Sequence, residues 1–174
     1  MLNINGDEND QFYRYKMPLL DSQVGGKGNG KFTIINNLDK VTEAFNHPSC
    51  IVFKFIGYCL GSNITEEQTR LTGHYSNDEL LNKLYRYINS FVLCESCGIP
   101  EIIPSLEGKK KKKKIVMKCS ACGSQYDYVA ANKLDEKGLD LIIKYLERED
   151  WKIKRGTIVE NNLVNDPFEE TDFC

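Results

Sequence analysis

The apolar and polar positions of the chain divide it into short strands and amphipathic helices. Residues 32–38 read FTIINNL, and β-branched residues followed by asparagines predict a strand. Helical spacing of apolar residues starts at Leu38 and predicts a helix that the His-Pro pair at 47–48 ends. The apolar stretch 51–61 predicts a second helix, which enters a turn at Gly57.

The strongest helical signal lies in the middle of the chain, at residues 77–91. Ser76 and Glu79 have the spacing of a capping box, in which each side chain bonds to the backbone N–H of the other residue. One apolar face follows, formed by Leu81, Leu84, Ile88 and Phe91. A last amphipathic helix is predicted from Leu139, Ile142, Ile143 and Leu146, and Gly138 interrupts it near its start.

Composition narrows the class of protein. Hydrophobic residues make up 41% of the 174 residues, enough for a packed core, yet no apolar run reaches the length of a membrane span. The N-terminus lacks the basic and apolar stretches of a secretory signal, so we expect an intracellular protein with reduced thiols. Five of the acids fall within residues 160–174, so residues 1–159 carry a formal charge of about +3 and favour an anionic partner.

Four of the seven cysteines have the spacing of a structural zinc site. The pattern is C-x2-C-x21-C-x2-C, with Cys94 and Cys97 in the first pair and Cys119 and Cys122 in the second. Two such turns supply the four ligands of a tetrahedral Zn²⁺ at about 2.3 Å. Four thiolates leave no open coordination position, so the predicted Zn²⁺ is structural and not catalytic. The alternative is four cysteines without a metal.

The pattern around the cysteines predicts a zinc ribbon. Gly98 and Gly123 follow the two pairs and permit the left-handed backbone of such turns, and apolar alternation between the pairs predicts a hairpin. We expect buried thiols or surface imidazoles at the remaining positions, Cys50, Cys59, Cys174, His47 and His74.

The predicted fold class is α+β, a small α/β N-terminal module linked by a helix to a four-cysteine zinc ribbon. The predicted divisions are a disordered N-terminus (1–11), the α/β module (12–76), the linker helix (77–91), the zinc ribbon (92–131), the C-terminal helix (132–150) and an acidic tail (151–174).

Two lysine-containing segments are candidates for phosphate contact. Six lysines should project from the ribbon hairpin, either as a solvated loop or as RNA contacts: Lys109, Lys110, Lys111, Lys112, Lys113 and Lys114. GGKGNGKF at 25–32 is close to a phosphate-binding loop, but Phe32 replaces the magnesium-binding hydroxyl and a strand follows instead of a helix. We therefore do not predict nucleotide binding there, and we keep Lys27 as a candidate for phosphate or RNA contact.

Several motifs together resemble the N-terminal region of eukaryotic translation initiation factor five. They are DQFYRYKMP, GKGNGK, SFVLCESCGIPE and CSACGS, and the resemblance covers roughly residues 9–148. The helix and zinc ribbon are shared with the beta subunit of initiation factor two, so YRYKMP and GKGNG separate the two families.

The resemblance implies a factor that activates GTP hydrolysis by the gamma subunit of initiation factor two during start-codon recognition. It implies a cytoplasmic monomer that is not itself an enzyme, with this GTPase, the small ribosomal subunit and the initiator tRNA as partners and no membrane. The family's essential arginine corresponds to Arg14, and Lys54 matches one supporting lysine. The second supporting lysine should stand at Phe32, and Lys31 is the nearest substitute.

Other functions stay open at this point. A component resembling the beta subunit would lack the arginine function, and a zinc-ribbon module would bind RNA through residues 109–114. An enzyme is least favoured, because the sequence has no acid-base pair, nucleophile-histidine arrangement or open metal site. The family normally continues into a helical-repeat domain, whereas DPFEETDFC here predicts a disordered end or a docking peptide.

Overall fold

Three small antiparallel sheets and four α-helices form the described part of the chain, which is α+β as predicted. The computed structural model describes residues 1–7, 9–64, 70–108, 114–148 and 151. The strands are β1 (Leu2–Asn3), β2 (Lys16–Met17), β3 (Ser22–Gly25), β4 (Phe32–Ile35), β5 (Arg70–Thr72), β6 (Ile102–Glu107), β7 (Lys114–Cys119) and β8 (Gln125–Asp127). The helices are α1 (Leu38–Glu43), α2 (Ser49–Leu60), α3 (Asn77–Phe91) and α4 (Lys133–Leu146).

The three sheets have the strand orders β1-β2, β3-β4-β5 and β6-β7-β8. β4 confirms the predicted strand, since Thr33 and Ile35 are buried and alternate with partly exposed neighbours. In the third sheet Ile102 lies opposite Cys119, so the ladder brings the chain that follows the first cysteine pair beside the second pair.

α2 and α3 share one hydrophobic core with both predicted modules. The rings of Phe55, Tyr87 and Phe91 pack against one another with centroids 5.2 to 5.6 Å apart. The same core includes Met17 from β2 and Cys119 from the ribbon. The helix expected to link two modules is therefore a core helix, because its apolar face packs into a core that both modules share.

α3 begins with the predicted capping box. The Ser76 hydroxyl accepts from the Glu79 N–H at 3.2 Å, and the Glu79 carboxylate accepts from the Ser76 N–H at 2.8 Å. Its buried residues are Leu80, Leu84, Tyr87, Ile88 and Phe91. Leu81, which the pattern predicts on this face, is only partly buried. The buried residue is Leu80, and the next side chain along a helix points about 100° away from it.

The prediction of a disordered N-terminus at residues 1–11 is wrong for residues 2–4. Leu2–Asn3 forms β1, and the Ile4 N–H extends the ladder by donating to the Tyr15 carbonyl at 3.0 Å. The Ile4 side chain is 3% exposed and belongs to the core. Two apolar residues at alternating positions are enough for a strand here, because β2 supplies the partner that a local pattern does not show.

Two predicted helix ends also differ from the structure. α1 ends at Glu43, before the pair at 47–48. α2 continues through Gly57, which packs so closely on Ile64 that an added Cβ would lie 2.6 Å from that side chain. The chain turns instead at Gly61, whose φ of 61° is the left-handed conformation typical of a helix C-terminus.

α4 packs on α2, with a glycine at the contact. The Asn132 side chain caps its N-terminus by accepting two backbone N–H groups. Gly138 is buried, and a Cβ at this position would lie 2.6 Å from the Phe91 ring and 2.9 Å from the Phe55 ring. The glycine that interrupts the helical pattern therefore lets α4 approach the aromatic core.

Two predicted features fall outside the described residues. They are the lysines at 109–113 and the tail from residue 152 onward. Of the helices that the structure describes, none is long and apolar enough to cross a membrane.

Candidate metal centre and arginine hairpin

The four predicted zinc ligands lie together. Cys94 and Cys119 are buried, Cys97 and Cys122 are exposed, and all four Sγ atoms lie within 4.8 Å of one another. The distances from Cys94 Sγ to Cys122 Sγ and from Cys97 Sγ to Cys119 Sγ are both 3.7 Å. Thiolates about 2.3 Å from a tetrahedral Zn²⁺ would be about 3.8 Å apart, so these distances fit that ion.

Backbone hydrogen bonds fold each cysteine pair into a tight turn, which we call a knuckle. The Gly98 N–H donates to the Cys94 carbonyl at 2.8 Å, and the Gly123 N–H donates to the Cys119 carbonyl at 3.0 Å. The two glycines have φ values of 69° and 75°, in the left-handed region that strains other residues. Each glycine therefore permits the turn that points two thiols at one site, as predicted.

Ser124, the last residue of the motif CSACGS, supports the sulfur cluster, a role that the cysteine spacing does not predict. Its Oγ lies 3.2 Å from Cys94 Sγ and 3.1 Å from Cys122 Sγ. Hydrogen bonds from the Ser124 hydroxyl and backbone lower the pKa of the Cys122 thiol, which favours the thiolate that binds a metal. Four sulfurs with a hydroxyl beside them suit a structural metal, since donors next to the ligands orient and tune them.

Arg14 lies in the loop of a hairpin formed by β1 and β2, which we name the arginine hairpin (residues 2–17). The Asn3 side chain donates to the carbonyls of Asp7 and Asp10 at 2.5 and 2.9 Å. The Asp10 carboxylate in turn accepts a backbone N–H two residues further on, at 2.9 Å. Polar side chains that suggested disorder in the sequence therefore satisfy the backbone of this loop.

The side chains near Arg14 alternate between packed and exposed. Phe12 is 96% exposed and Arg14 is exposed, whereas Tyr13 and Tyr15 are partly buried. The two tyrosine rings meet edge to face with centroids 5.9 Å apart, and the Arg14 guanidinium carbon lies 5.6 Å from the Tyr15 ring centroid. Among the residues that the structure describes, none accepts a hydrogen bond from the Arg14 guanidinium.

The glycine-rich segment forms the turn between β3 and β4. Lys27 and Lys31 are exposed on this turn. Gly26 has a φ of 81°, and a Cβ there would lie 2.0 Å from the Gly30 carbonyl oxygen, so the turn is too tight for a side chain. A phosphate-binding loop leads into a helix N-terminus, whereas this turn leads into an antiparallel strand.

Lys54 lies on α2 near two cations that sequence reasoning missed. Burial, followed by the charges of Arg148 and Lys144, lowers the pKa of Lys54. We call these three residues the basic cluster. Within the described ranges none of the three has an ion-pair partner. In the same ranges, no hydrogen bond or ring contact joins Arg14 to either of the two lysines predicted to support it, Lys54 and Lys31. The spacing of Lys144 and Arg148, one helical turn apart, was the available signal.

Among the six consecutive lysines, the described one is Lys114. Its Nζ lies 2.9 Å from both carboxylate oxygens of Asp127, and this contact raises the pKa of Lys114. Lys114 therefore joins β7 to β8 instead of projecting from the hairpin tip.

His47 was expected at the surface and is buried instead, with 5% exposure. Its Nδ1 lies 2.9 Å from the Tyr87 hydroxyl, and its ring packs edge to face on Trp151 with centroids 4.8 Å apart. Burial lowers the pKa of His47 to about 3. The prediction fails because Trp151 returns to the turn that follows α1, where its indole N–H donates to the Asn46 carbonyl at 3.0 Å.

Comparison with known proteins agrees with the motifs. The family model described as the domain found in initiation factors 2B and 5 matches residues 5–125. Eukaryotic translation initiation factor 5 of Caenorhabditis elegans is 36% identical over 137 residues, which is 76% of this chain and 30% of that protein. The factor of Dictyostelium discoideum is 40% identical over 124 residues, 70% of this chain and 30% of that protein.

The matched range includes both Arg14 and the four cysteines but ends before α4. The chain spans about a third of the length of the relatives it matches, as the factor of Saccharomyces cerevisiae shows, of which it covers 33% at 34% identity. The resemblance inferred from the motifs is confirmed. Because the family model covers more than half of the sequence, the chain belongs to the family that shares the domain found in initiation factors 2B and 5.

Proposed function

We propose that this chain is a translation initiation factor that activates GTP hydrolysis by the gamma subunit of initiation factor two. It acts as a monomer in the cytoplasm, on the small ribosomal subunit with initiator tRNA, and couples hydrolysis to start-codon recognition. The relatives named eukaryotic translation initiation factor 5 support the role in initiation. The single observation that carries the activating role is the exposed Arg14 on an ordered hairpin loop.

An arginine from a second protein can accelerate phosphoryl transfer by electrostatic stabilisation. Negative charge spreads over the oxygens of the transferred group in the transition state, and a guanidinium offers five N–H donors in one plane. Arg14 suits this role because its neighbours Tyr13 and Tyr15 pack on the hairpin and leave the guanidinium outside. In this proposal the partner GTPase binds and hydrolyses GTP and the chain contributes only charge, so it is an activator and not itself an enzyme.

The lysines are proposed to contact phosphates. Lys27 and Lys31 lie on one exposed turn, where both can meet the phosphates of a nucleotide or of RNA. Lys54 acts within the basic cluster, whose positive charges attract an RNA backbone, and the lysines at 109–113 are assigned the same role.

The four cysteines would hold a structural Zn²⁺. The ion would join the two knuckles. Its binding would supply folding free energy to the ribbon, which contains only a small three-stranded sheet, β6-β7-β8. With four thiolates bound, it would have no free position for water or substrate, so no step of GTP hydrolysis passes through it.

Single-turnover GTP hydrolysis by the preassembled initiation complex tests the proposal. Arg14→Ala should lower the maximal rate at least about 100-fold, since arginine fingers contribute about 10³ to 10⁵. The maximal rate with Arg14→Lys should lie between the rates with wild type and with Arg14→Ala, because a lysine keeps the charge but lacks the planar donors.

Arg70→Ala is the matched control, because Arg70 is also exposed and stacks on a ring, 4.7 Å from the centroid of Phe32. It should keep the wild-type maximal rate. A normal rate with Arg14→Ala, in a protein that retains its wild-type thermal transition, would refute the activating role and leave a binding factor.

A further inference from the structure

The arginine hairpin contacts the first cysteine knuckle directly. The Asn5 side chain amide donates to the Gly98 carbonyl at 2.9 Å. The Tyr15 hydroxyl donates to the Glu101 carboxylate at 2.5 Å. Gly98 ends the first knuckle, and Tyr15 is the residue after Arg14. Two hydrogen bonds between positions far apart in sequence therefore join the base of the arginine loop to the metal centre.

Glu101 also connects this contact to the second knuckle. Its backbone carbonyl accepts from the Ser120 N–H at 3.0 Å, and Ser120 lies between Cys119 and Cys122. Its own N–H donates to the Ile99 carbonyl at 2.9 Å, and the same carbonyl accepts from the Cys94 N–H of the first knuckle at 3.1 Å. The backbone position of Glu101, from which its carboxylate extends, is thus connected to both knuckles.

We propose that Zn²⁺ bound by the four cysteines positions Arg14 through Tyr15, Glu101 and Asn5, which are positioning residues. The ion would fix both knuckles, and the knuckles position Glu101 and the Gly98 carbonyl. These two acceptors bind Tyr15 and Asn5, which lie at the two ends of the loop in the arginine hairpin. The value of this arrangement for GTP hydrolysis rests on the proposed function, but the coupling between hairpin and metal does not.

The hydrogen bond between Tyr15 and Glu101 should be strong enough for a measurable coupling between the hairpin and Zn²⁺ binding. The hydrogen bond to Glu101 raises the pKa of Tyr15 to about 12, so the hydroxyl remains a donor throughout the neutral range. Hydrogen bonds to charged groups are stronger than neutral ones, and partial exposure reduces that advantage. Coupling is also reciprocal, so if the metal orders the hairpin, the docked hairpin must strengthen metal binding by the same factor.

The test measures Zn²⁺ affinity of the full chain by competition with a chelator, and separately the rate of tryptic cleavage after Arg14. Tyr15→Phe removes one hydroxyl and should weaken Zn²⁺ binding by about three- to tenfold. Release of the fragment 1–14 should speed up by a similar factor. Tyr75→Phe is the matched control, since the Tyr75 hydroxyl donates locally to the Thr72 carbonyl at 3.1 Å. It should change neither quantity.

A double-mutant cycle identifies the path. Glu101→Gln should weaken Zn²⁺ binding like Tyr15→Phe, and the two changes together should cost less than the sum of their separate effects. Wild-type Zn²⁺ affinity in Tyr15→Phe would overturn the coupling, as would additive effects in the double variant. Neither readout involves a GTPase, so the outcome for the coupling is independent of the outcome for the proposed function. The coupling can hold even if Arg14→Ala leaves the rate of GTP hydrolysis by the partner unchanged, and it can fail even if Arg14→Ala lowers that rate.

Discussion

Replacement of Gly138 by alanine should destabilise the protein, although it occurs inside a helix. In an exposed helix this change adds about 1 kcal/mol of stability, because glycine has more backbone freedom to lose. Gly138 is buried at the contact between α4 and the aromatic core, where the added Cβ would lie 2.6 Å from one carbon of the Phe91 ring and 2.9 Å from one of Phe55. The surroundings therefore reverse the sign that propensity gives.

The magnitude follows from the size of the overlap. Carbon atoms prefer separations of about 3.5 to 4.0 Å, so the methyl group overlaps Phe91 by roughly 1 Å. The Phe91 ring cannot turn aside freely, because it packs on Phe55, Tyr87 and Tyr128 with centroids 5.2 to 5.6 Å away. Overpacking of this kind costs about 1 to 3 kcal/mol, which outweighs the propensity gain and leaves a net loss of about 1 kcal/mol.

Thermal unfolding at constant free Zn²⁺ measures this loss. For a chain of this length, about 1 kcal/mol lowers Tm by about 2 to 4 °C. Asn89→Ala, at an exposed position of α3, is the control and should leave Tm unchanged or slightly higher. Combination with Phe91→Leu should remove most of the penalty of Gly138→Ala, since the overlapping ring atoms are gone. A rise in Tm with Gly138→Ala alone would refute the packing argument.

Two further predictions follow from buried and clustered charges. Burial lowers the pKa of His47 from 6.5 to about 3. Between these two pH values the unfolded chain binds a proton at His47 that the folded protein excludes. The free energy of unfolding is therefore highest above pH 6.5 and decreases as the pH falls. This loss should be about 2 kcal/mol between pH 7 and pH 5 in denaturant titrations, smaller in His47→Gln and retained in His74→Ala. The double variant Lys144→Ala with Arg148→Ala should bind single-stranded RNA with a weaker salt dependence. The slope of log affinity against log salt concentration should become shallower by about 1.4, and an unchanged slope would exclude the basic cluster as a phosphate contact.

Local chemistry explains what the sequence could predict. The capping box at Ser76 and Glu79 involves residues three apart, and the knuckles involve cysteines with a following glycine. Both patterns specify their own geometry, because each hydrogen bond closes within a few residues. The four-cysteine cluster required only that two such turns meet, and the ladder between β6 and β7 brings them together.

The errors arise where a distant segment decides the environment. The polar residues of the N-terminus predict disorder, but β2 pairs with β1, and the side chains of Asn3 and Asp10 bond to the loop backbone. His47 was placed on the surface, although Trp151, more than a hundred positions later, covers it. Glu101 ends the motif SFVLCESCGIPE, but the motif does not predict its role, since that role comes from accepting the Tyr15 hydroxyl.

α4 completes the core of the region that the family model matches, from outside that model's range. The family match ends at residue 125, whereas α4 begins at Lys133. Yet Ile142 is fully buried in the common core, and Gly138 lies against Phe55 and Phe91. Without α4 these aromatic faces would meet water, at a cost of about 25 cal/mol per Å² exposed. The same core contains Met17 at the base of the arginine hairpin, so a helix outside the range of the family model shares its hydrophobic core with the hairpin.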